Sequence, residues 1–247
     1  MTKKASISEL SAEFIGSMFL VMAAISSMIL FTSVFESDKS VAVIANAISV
    51  AFVLCALIEI FAPVSGAHFN PVVTLIMAFE KNVSSVKAVL FILIQIVGGL
   101  TGTMLSRLMF LGNMGSVLAV SNTVRNDYIY LGEVFGTFIL VFAILMLVKT
   151  KSNKIPITVG FLVGGQLMAT SSTMFANPQV TIARMFTNSA AGIRPFDGFV
   201  FIVMQIIGAL LAYFVYRLIF SKNTYGTGEE NVLCKRVRVS KNHLPKS

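Results

Sequence analysis

Six apolar runs, near 12–35, 41–61, 86–110, 129–148, 155–174 and 196–220, constrain this chain more than any other feature. Each is long enough to cross a hydrocarbon core of about 30 Å, which takes roughly 20 helical residues. Backbone groups in lipid find partners only within a helix or a closed barrel, so each run predicts a transmembrane helix. Hydrophobic residues make up 56% of the chain and charged residues 12%, against about 25% charged in soluble domains. A soluble protein of 247 residues cannot bury that much apolar side chain. The net charge of +8 is then a matter of placement along a membrane protein, not a sign of nucleic acid.

Two further apolar stretches, 70–79 and 177–187, are too short to span. As helices of about ten residues they would reach roughly 15 Å, half a bilayer. Each begins with Asn-Pro, and proline suits the first turn of a helix, where its missing N–H is not needed. Each follows small residues: Ser65-Gly66-Ala67-His68 before the first, Ser171-Ser172-Thr173 before the second.

Basic residues set the orientation. One side gathers Lys3, Lys4, Lys81, Lys87, Lys149, Lys151, Lys154 and the tail beyond Ser221, with Lys235, Arg236, Arg238, Lys241 and Lys246. The other holds Lys39, Arg107, Arg125, Arg184 and Arg194. With an even number of spans, both termini are expected on the richer, cytoplasmic side. The tail reads as a basic cytoplasmic segment, with contact to anionic lipid as the sharper alternative. Cys55 and Cys234 form no disulfide framework,. The first run is too long for a signal-peptide core and is read as a retained span. The expected layout is a cytoplasmic N-terminus (1–11), a first repeat (12–110), an extracytoplasmic loop (111–128), a second repeat (129–220) and the tail (221–247).

The repeat is visible in three ordered matches. Glu13-Phe14-Ile15-Gly16 in span one corresponds to Glu133-Val134-Phe135-Gly136 in span four. Asn70-Pro71-Val72-Val73-Thr74 corresponds to Asn177-Pro178-Gln179-Val180-Thr181. Phe91 to Gly98, through Gln95, corresponds to Phe201 to Gly208, through Gln205. Each half has three spans, an odd number, so the second half enters the membrane inverted. The half-helices then dip from opposite faces and bring Asn70 and Asn177 together near the midplane. Two helix N-termini at one spot place unsatisfied N–H groups and partial positive charge in the bilayer centre, and each asparagine adds two amide donors. A neutral oxygen-bearing solute can accept those bonds in passing. A cation meets a barrier, and a proton wire is interrupted. The non-helical loops before the half-helices are tolerated only where they line a cavity. Their carbonyls at Gly66, Ala67, His68, Thr173 and Phe175 form the expected acceptor ladder, opposite an aliphatic wall.

From about Glu9 to Phe220 the chain resembles the major intrinsic protein family, the aquaporins and aquaglyceroporins. The doubled Asn-Pro motif and the Ser-Gly-Ala-His-Phe-Asn-Pro run carry the likeness. The resemblance implies an all-α membrane protein with six transmembrane helices, two re-entrant half-helices and inverted repeats. It also implies a homotetramer with one pore per subunit, passing small neutral solutes; aquaporin-type pores are the standing example of this selectivity. The family motif Asn-Pro-Ala here reads Asn70-Pro71-Val72 and Asn177-Pro178-Gln179. The family's filter arginine, three residues after the second asparagine, is here Val180. Spacing carries the other filter positions to Val50, Gly165 and Met174, an apolar or small set that favours solutes larger than water. The run after the second motif is similar to a bacterial branch linked to arsenic handling. Arsenous acid, neutral and glycerol-like at pH 7, therefore joins water and glycerol as a candidate solute, and a bacterial inner membrane is the expected location.

Arg184 falls one turn beyond Val180 on the same helix face. It either sets a cation at the outer mouth or makes a structural ion pair with Asp197 or Asp127. Glu13 and Glu133 either brace the re-entrant loops or couple flux to protons, which would make the chain a proton-coupled transporter. His68 braces its loop or gates with pH. A closed, adhesive membrane protein is the third alternative. No metal cluster, cofactor motif or catalytic signature is present in the sequence, so neither a cofactor nor an enzyme activity is expected.

Overall fold

The computed structural model describes residues 4–125 and 127–221, with the side chains of Asp127 and Ser221 left aside. The expected basic tail, Lys3, Cys234 and the proposed Asp127 partner of Arg184 lie outside the described residues.

Ser6 caps the first helix through a reciprocal box: its Oγ accepts from Glu9 N (3.2 Å) and Glu9 Oε2 accepts from Ser6 N (2.8 Å),. Helix α1 (Ile7–Ile29) therefore starts several residues ahead of the apolar run and ends in a π turn over Leu30–Val34. Helix α2 (Lys39–Ser65) carries Pro63 in its last turn and stops at Gly66, left-handed at φ 93°. The half-helix α3 (Pro71–Phe79) follows, then α4 (Ser85–Met109) and the one-turn α5 (Leu111–Met114). The second half runs α6 (Tyr130–Lys149), α7 (Ile155–Ala169), the half-helix α8 (Pro178–Arg184) and α9 (Pro195–Ser221). No strand occurs among the described residues.

Among the described residues, five helices are long and apolar enough to cross a membrane. The sixth span differs from expectation. Helix α7 has 15 residues and leaves the helical path at Thr170, where the non-helical approach to the second motif begins. Half-helix α8 also ends early, at Arg184 instead of Thr187. Its continuation peels away so that Met185 and Phe186 carbonyls accept from Ser121 N (2.8 Å) and Ala119 N (3.1 Å).

The two halves pack alike. Helix α1 lies along α4 and α6 along α9, with α2 along α7. A Cβ on Gly98 would fall 2.5 Å from the Phe14 carbonyl oxygen, and one on Gly208 would collide with the Val134 carbonyl. These are corresponding residues of the repeat, so the same close approach is built twice with the same glycine.

Candidate functional site

Both half-helices are capped by their asparagines. Asn70 Oδ1 accepts from Val72 N at 3.0 Å and Asn177 Oδ1 from Gln179 N at 3.2 Å, with proline at the first helical position of each. Capping fixes each amide oxygen on its own helix and turns the NH2 outward. Asn70 Nδ2 donates to the Ala176 carbonyl and Asn177 Nδ2 to the Phe69 carbonyl, both at 2.8 Å. The two helix N-termini are thus tied across the midplane by reciprocal bonds. One donor of each amide is used in the tie and one is left for the passage.

A cavity of about 540 Å³ runs past this junction. At the N-terminal face it is lined by Glu59, Asn82, Lys87, Ser152 and Asn153. Gly66, Ala67, His68, Phe69 and Asn70 line its middle, with Met174, Phe175, Ala176 and Asn177 opposite in sequence. The facing wall is aliphatic: Leu20, Leu54, Ile58, Leu140, Val159 and Val163 among others. Ala67, Phe69, Thr173, Met174 and Ala176 have positive φ, between 31° and 56°. Left-handed backbone is rare for residues with a Cβ and clusters at functional sites. Thr173 itself is absent from the cavity lining, the one loop position expected there that is not.

The strained loops are held by buried carboxylates. Glu13 Oε1 accepts from Ser65 Oγ (2.6 Å) and His68 N (3.0 Å), and Oε2 from Phe69 N and Gln95 Nε2 (both 2.8 Å). Glu133 accepts from Phe175 N (2.9 Å), Ala176 N (2.8 Å) and Gln205 Nε2 (2.5 Å). Gln95 also donates to Thr74 Oγ1 (3.0 Å) and Gln205 to Thr181 Oγ1 (2.9 Å). Both carboxylates are 0% exposed and neither lines the cavity. This Glu–Gln–Thr brace was legible only in part: the glutamines and threonines were in the repeat matches, but apolarity gave them no role. His68 Nδ1 lies 3.1 Å from Thr74 Oγ1, and its ring packs edge-on against Phe91.

The expected filter set needs one correction. Val50, Met174 and Val180 line the cavity. Gly165 does not: it is exposed, with open space where a Cβ would stand. Gly160 and Gly164 press α7 against Ala51, Cys55 and Ala47 of α2. That contact turns Val159, Val163 and Leu167, at four-residue spacing, to the cavity,. Carrying the position over by spacing across a non-helical loop misplaced the helix register, and Leu167 is the last α7 residue that lines the cavity.

Two other residues have contacts for which the sequence offered no reading. Gln179 is fully buried behind the motif, where Nε2 donates to the Phe69 carbonyl (3.3 Å) and Oε1 abuts Gly99. Arg107 is 1% exposed. It holds the Ser116 carbonyl through Nε (2.9 Å), the Met114 carbonyl through Nη2 (3.1 Å) and Thr187 Oγ1 through Nη1 (3.3 Å).

Arg184 is 3% exposed and lines the cavity, one turn past Val180 on α8. The expected ion pair with Asp197 is not formed. That carboxylate binds Arg194 through Nε (3.0 Å) and Nη2 (2.8 Å), Arg125 N (2.8 Å) and Tyr130 Oη (2.9 Å). The Arg184 guanidinium sits instead 4.2 Å from the centre of the Phe175 ring, with Arg125 at 5.3 Å from the same ring. Burial pushes the Arg125 guanidinium below its ordinary pKa, offset in part by Glu133 and Asp197.

The family model described as "Major intrinsic protein" matches residues 1–216. An aquaglyceroporin, AqpS, of Rhizobium meliloti (strain 1021) is 35% identical over 207 residues, 83% of this chain and 87% of the relative. A probable TIP-type aquaporin of Antirrhinum majus is 29% identical over 226 residues, 87% of this chain and 88% of its own length. The aquaglyceroporin of Plasmodium falciparum superposes with a TM-score of 0.64 at 18% identity, covering 94% of this chain and 99% of that one. With its inverted repeats and paired half-helices, this chain belongs to the major intrinsic protein family and is a multi-pass integral membrane channel for small uncharged solutes.

Proposed function

We propose that this channel passes solutes of glycerol size, with water and arsenous acid as further permeants, through a narrow end formed by Val50, Leu167, Met174 and Val180. The observation that carries this reading is the apolar wall at those four positions beside a midplane that presents asparagine N–H donors. A hydrophobic constriction gives water no partner to replace its lost hydrogen bonds. A polyol exposes CH groups to the aliphatic wall and hydroxyls to the loop carbonyls and the asparagines. Arsenous acid, uncharged and with three hydroxyls, has the same surface chemistry.

The carboxylates speak against proton coupling, since Glu13 and Glu133 are held by loop N–H groups away from the cavity. By the distribution of lysines, the face bearing Lys81, Lys87, Lys149, Lys151 and Lys154 is cytoplasmic,. Both termini then lie inside the cell, Arg184 faces outward, a bacterial inner membrane is the setting, and the assembly is a tetramer. The Lys87–Glu9 ion pair (2.7 Å) then sits at the inner mouth.

Stopped-flow light scattering on proteoliposomes with water, glycerol, urea and arsenous acid tests the reading. The native protein should pass glycerol and arsenous acid faster than empty vesicles do. Val180→Arg should cut glycerol and arsenous acid more than water. Equal losses for water and glycerol would remove residue 180 from the filter.

A further inference from the structure

Among the described residues the guanidinium of Arg184 has no counterion, and it has more donors than its surroundings use. Nη2 donates to the Ala24 carbonyl at 3.0 Å, an oxygen that Asn46 Nδ2 already reaches at 2.8 Å. Nε is buried without a partner, and Nη1 makes no hydrogen bond among the described residues. No described carboxylate lies within salt-bridge distance. Glu133 is engaged by Phe175 N, Ala176 N and Gln205, and Asp197 by Arg194. Arg125, on the same Phe175 ring, also keeps its Nε buried and unpaired.

A brace between α8 and α1 needs one donor. A guanidinium has five, in a rigid fork. Removing such a cation from water without a partner is costly, and ionisable groups at membrane depth face cavities where they act. Arg184 meets that description: it is almost fully buried and yet lines the cavity, as Val180 and Met174 do.

We propose that Arg184 is a solute-binding donor site, taking neutral polyols and other solutes with adjacent oxygen acceptors, one helical turn beyond the apolar constriction. This rests on the channel reading above. A solute leaving the apolar ring at Val180 exchanges water for the free edge of the guanidinium. The Phe175 ring holds the planar group in place, and Arg125 behind it keeps the local field positive. Selection is thereby split between two levels, an apolar ring that sizes and a cation that binds oxygen.

The test compares wild type with Arg184→Met in proteoliposomes, measuring water and glycerol permeability by stopped-flow light scattering. Methionine keeps an unbranched stem against Phe175 and removes every donor. The glycerol-to-water ratio should fall at least fivefold. A plug or brace gives the opposite sign, because a smaller side chain widens the path. A ratio that is unchanged or raised overturns the proposal. Absence of glycerol flux in wild type overturns the channel reading and this site with it, whereas flux with an unchanged ratio overturns this site alone. The wild-type protein gives a second readout that needs no variant: modification by 2,3-butanedione, mapped by mass spectrometry. Glycerol should slow reaction at Arg184 at least threefold relative to the exposed Arg217, and equal slowing or no reaction at Arg184 contradicts the proposal.

Discussion

Glu13→Gln isolates the loop brace, and its cost can be worked from the contacts. The carboxylate accepts four hydrogen bonds, two on each oxygen. An amide replaces one oxygen with NH2. With the new oxygen toward Ser65 and His68, the NH2 faces the Phe69 N–H and Gln95. Gln95 can turn its own oxygen to the new donor, since that oxygen is unpaired in the native protein. The Phe69 N–H cannot turn, and a buried unpaired donor costs about 1–3 kcal/mol. The three surviving bonds lose their charge assistance, about 1 kcal/mol each. The total is roughly 4–6 kcal/mol, a large share of the stability of a typical domain. At about 2–4 °C per kcal/mol for a chain of this size, the melting temperature should drop by roughly 10–20 °C. Melting of the purified protein in detergent, read by intrinsic fluorescence, is the assay, with glycerol flux measured below the transition. A melting temperature within about 2 °C of wild type would refute the brace. So would intact stability combined with flux that now ignores a proton gradient it formerly followed.

Glu133→Gln should repeat this loss on a smaller scale, because three donors and not four converge on it; differential scanning calorimetry of both variants compares them. Gly98→Ala and Gly208→Ala should each destabilise by about 1–3 kcal/mol through overpacking against the Phe14 and Val134 carbonyls,, read as lower melting temperatures of similar size. Gly99→Ala meets Gln179 Oε1 and should be rescued by Gln179→Ala; additive losses in the double-mutant cycle would break that link. Arg107→Met frees the Ser116 and Met114 carbonyls and Thr187, and should raise hydrogen exchange in residues 111–118 while leaving the solute ratios alone.

Five of the six spans, the half-helices, the inverted repeat and the asparagine junction were legible because each follows from length, periodicity or a capping motif. Helix starts were less so: Ser6 and Glu9 set the beginning of α1 by side-chain bonding, which hydropathy ignores. The end of α7 at Ala169 was hidden because Met174 and Phe175 are as apolar in a loop as in a helix. That miss carried over to Gly165, whose place on α7 depends on how Gly160 and Gly164 seat against α2. Gln179 and Arg107 were unreadable for a different reason. Their partners are backbone carbonyls from distant segments, and no residue pattern announces a carbonyl. Arg184 was visible on its helix face, but that Asp197 does not pair with it depended on Asp197 being taken by Arg194, which only the packing settles.

The central claim is that solutes cross a fixed passage past the joined ends of α3 and α8, without energy coupling. Glycerol flux and lumenal pH, followed together in proteoliposomes carrying a trapped pH dye and no ion gradient, test it most directly. The account predicts equal facilitated flux inward and outward with no pH change. Flux no faster than in empty vesicles, or a pH change in step with glycerol movement, would contradict it.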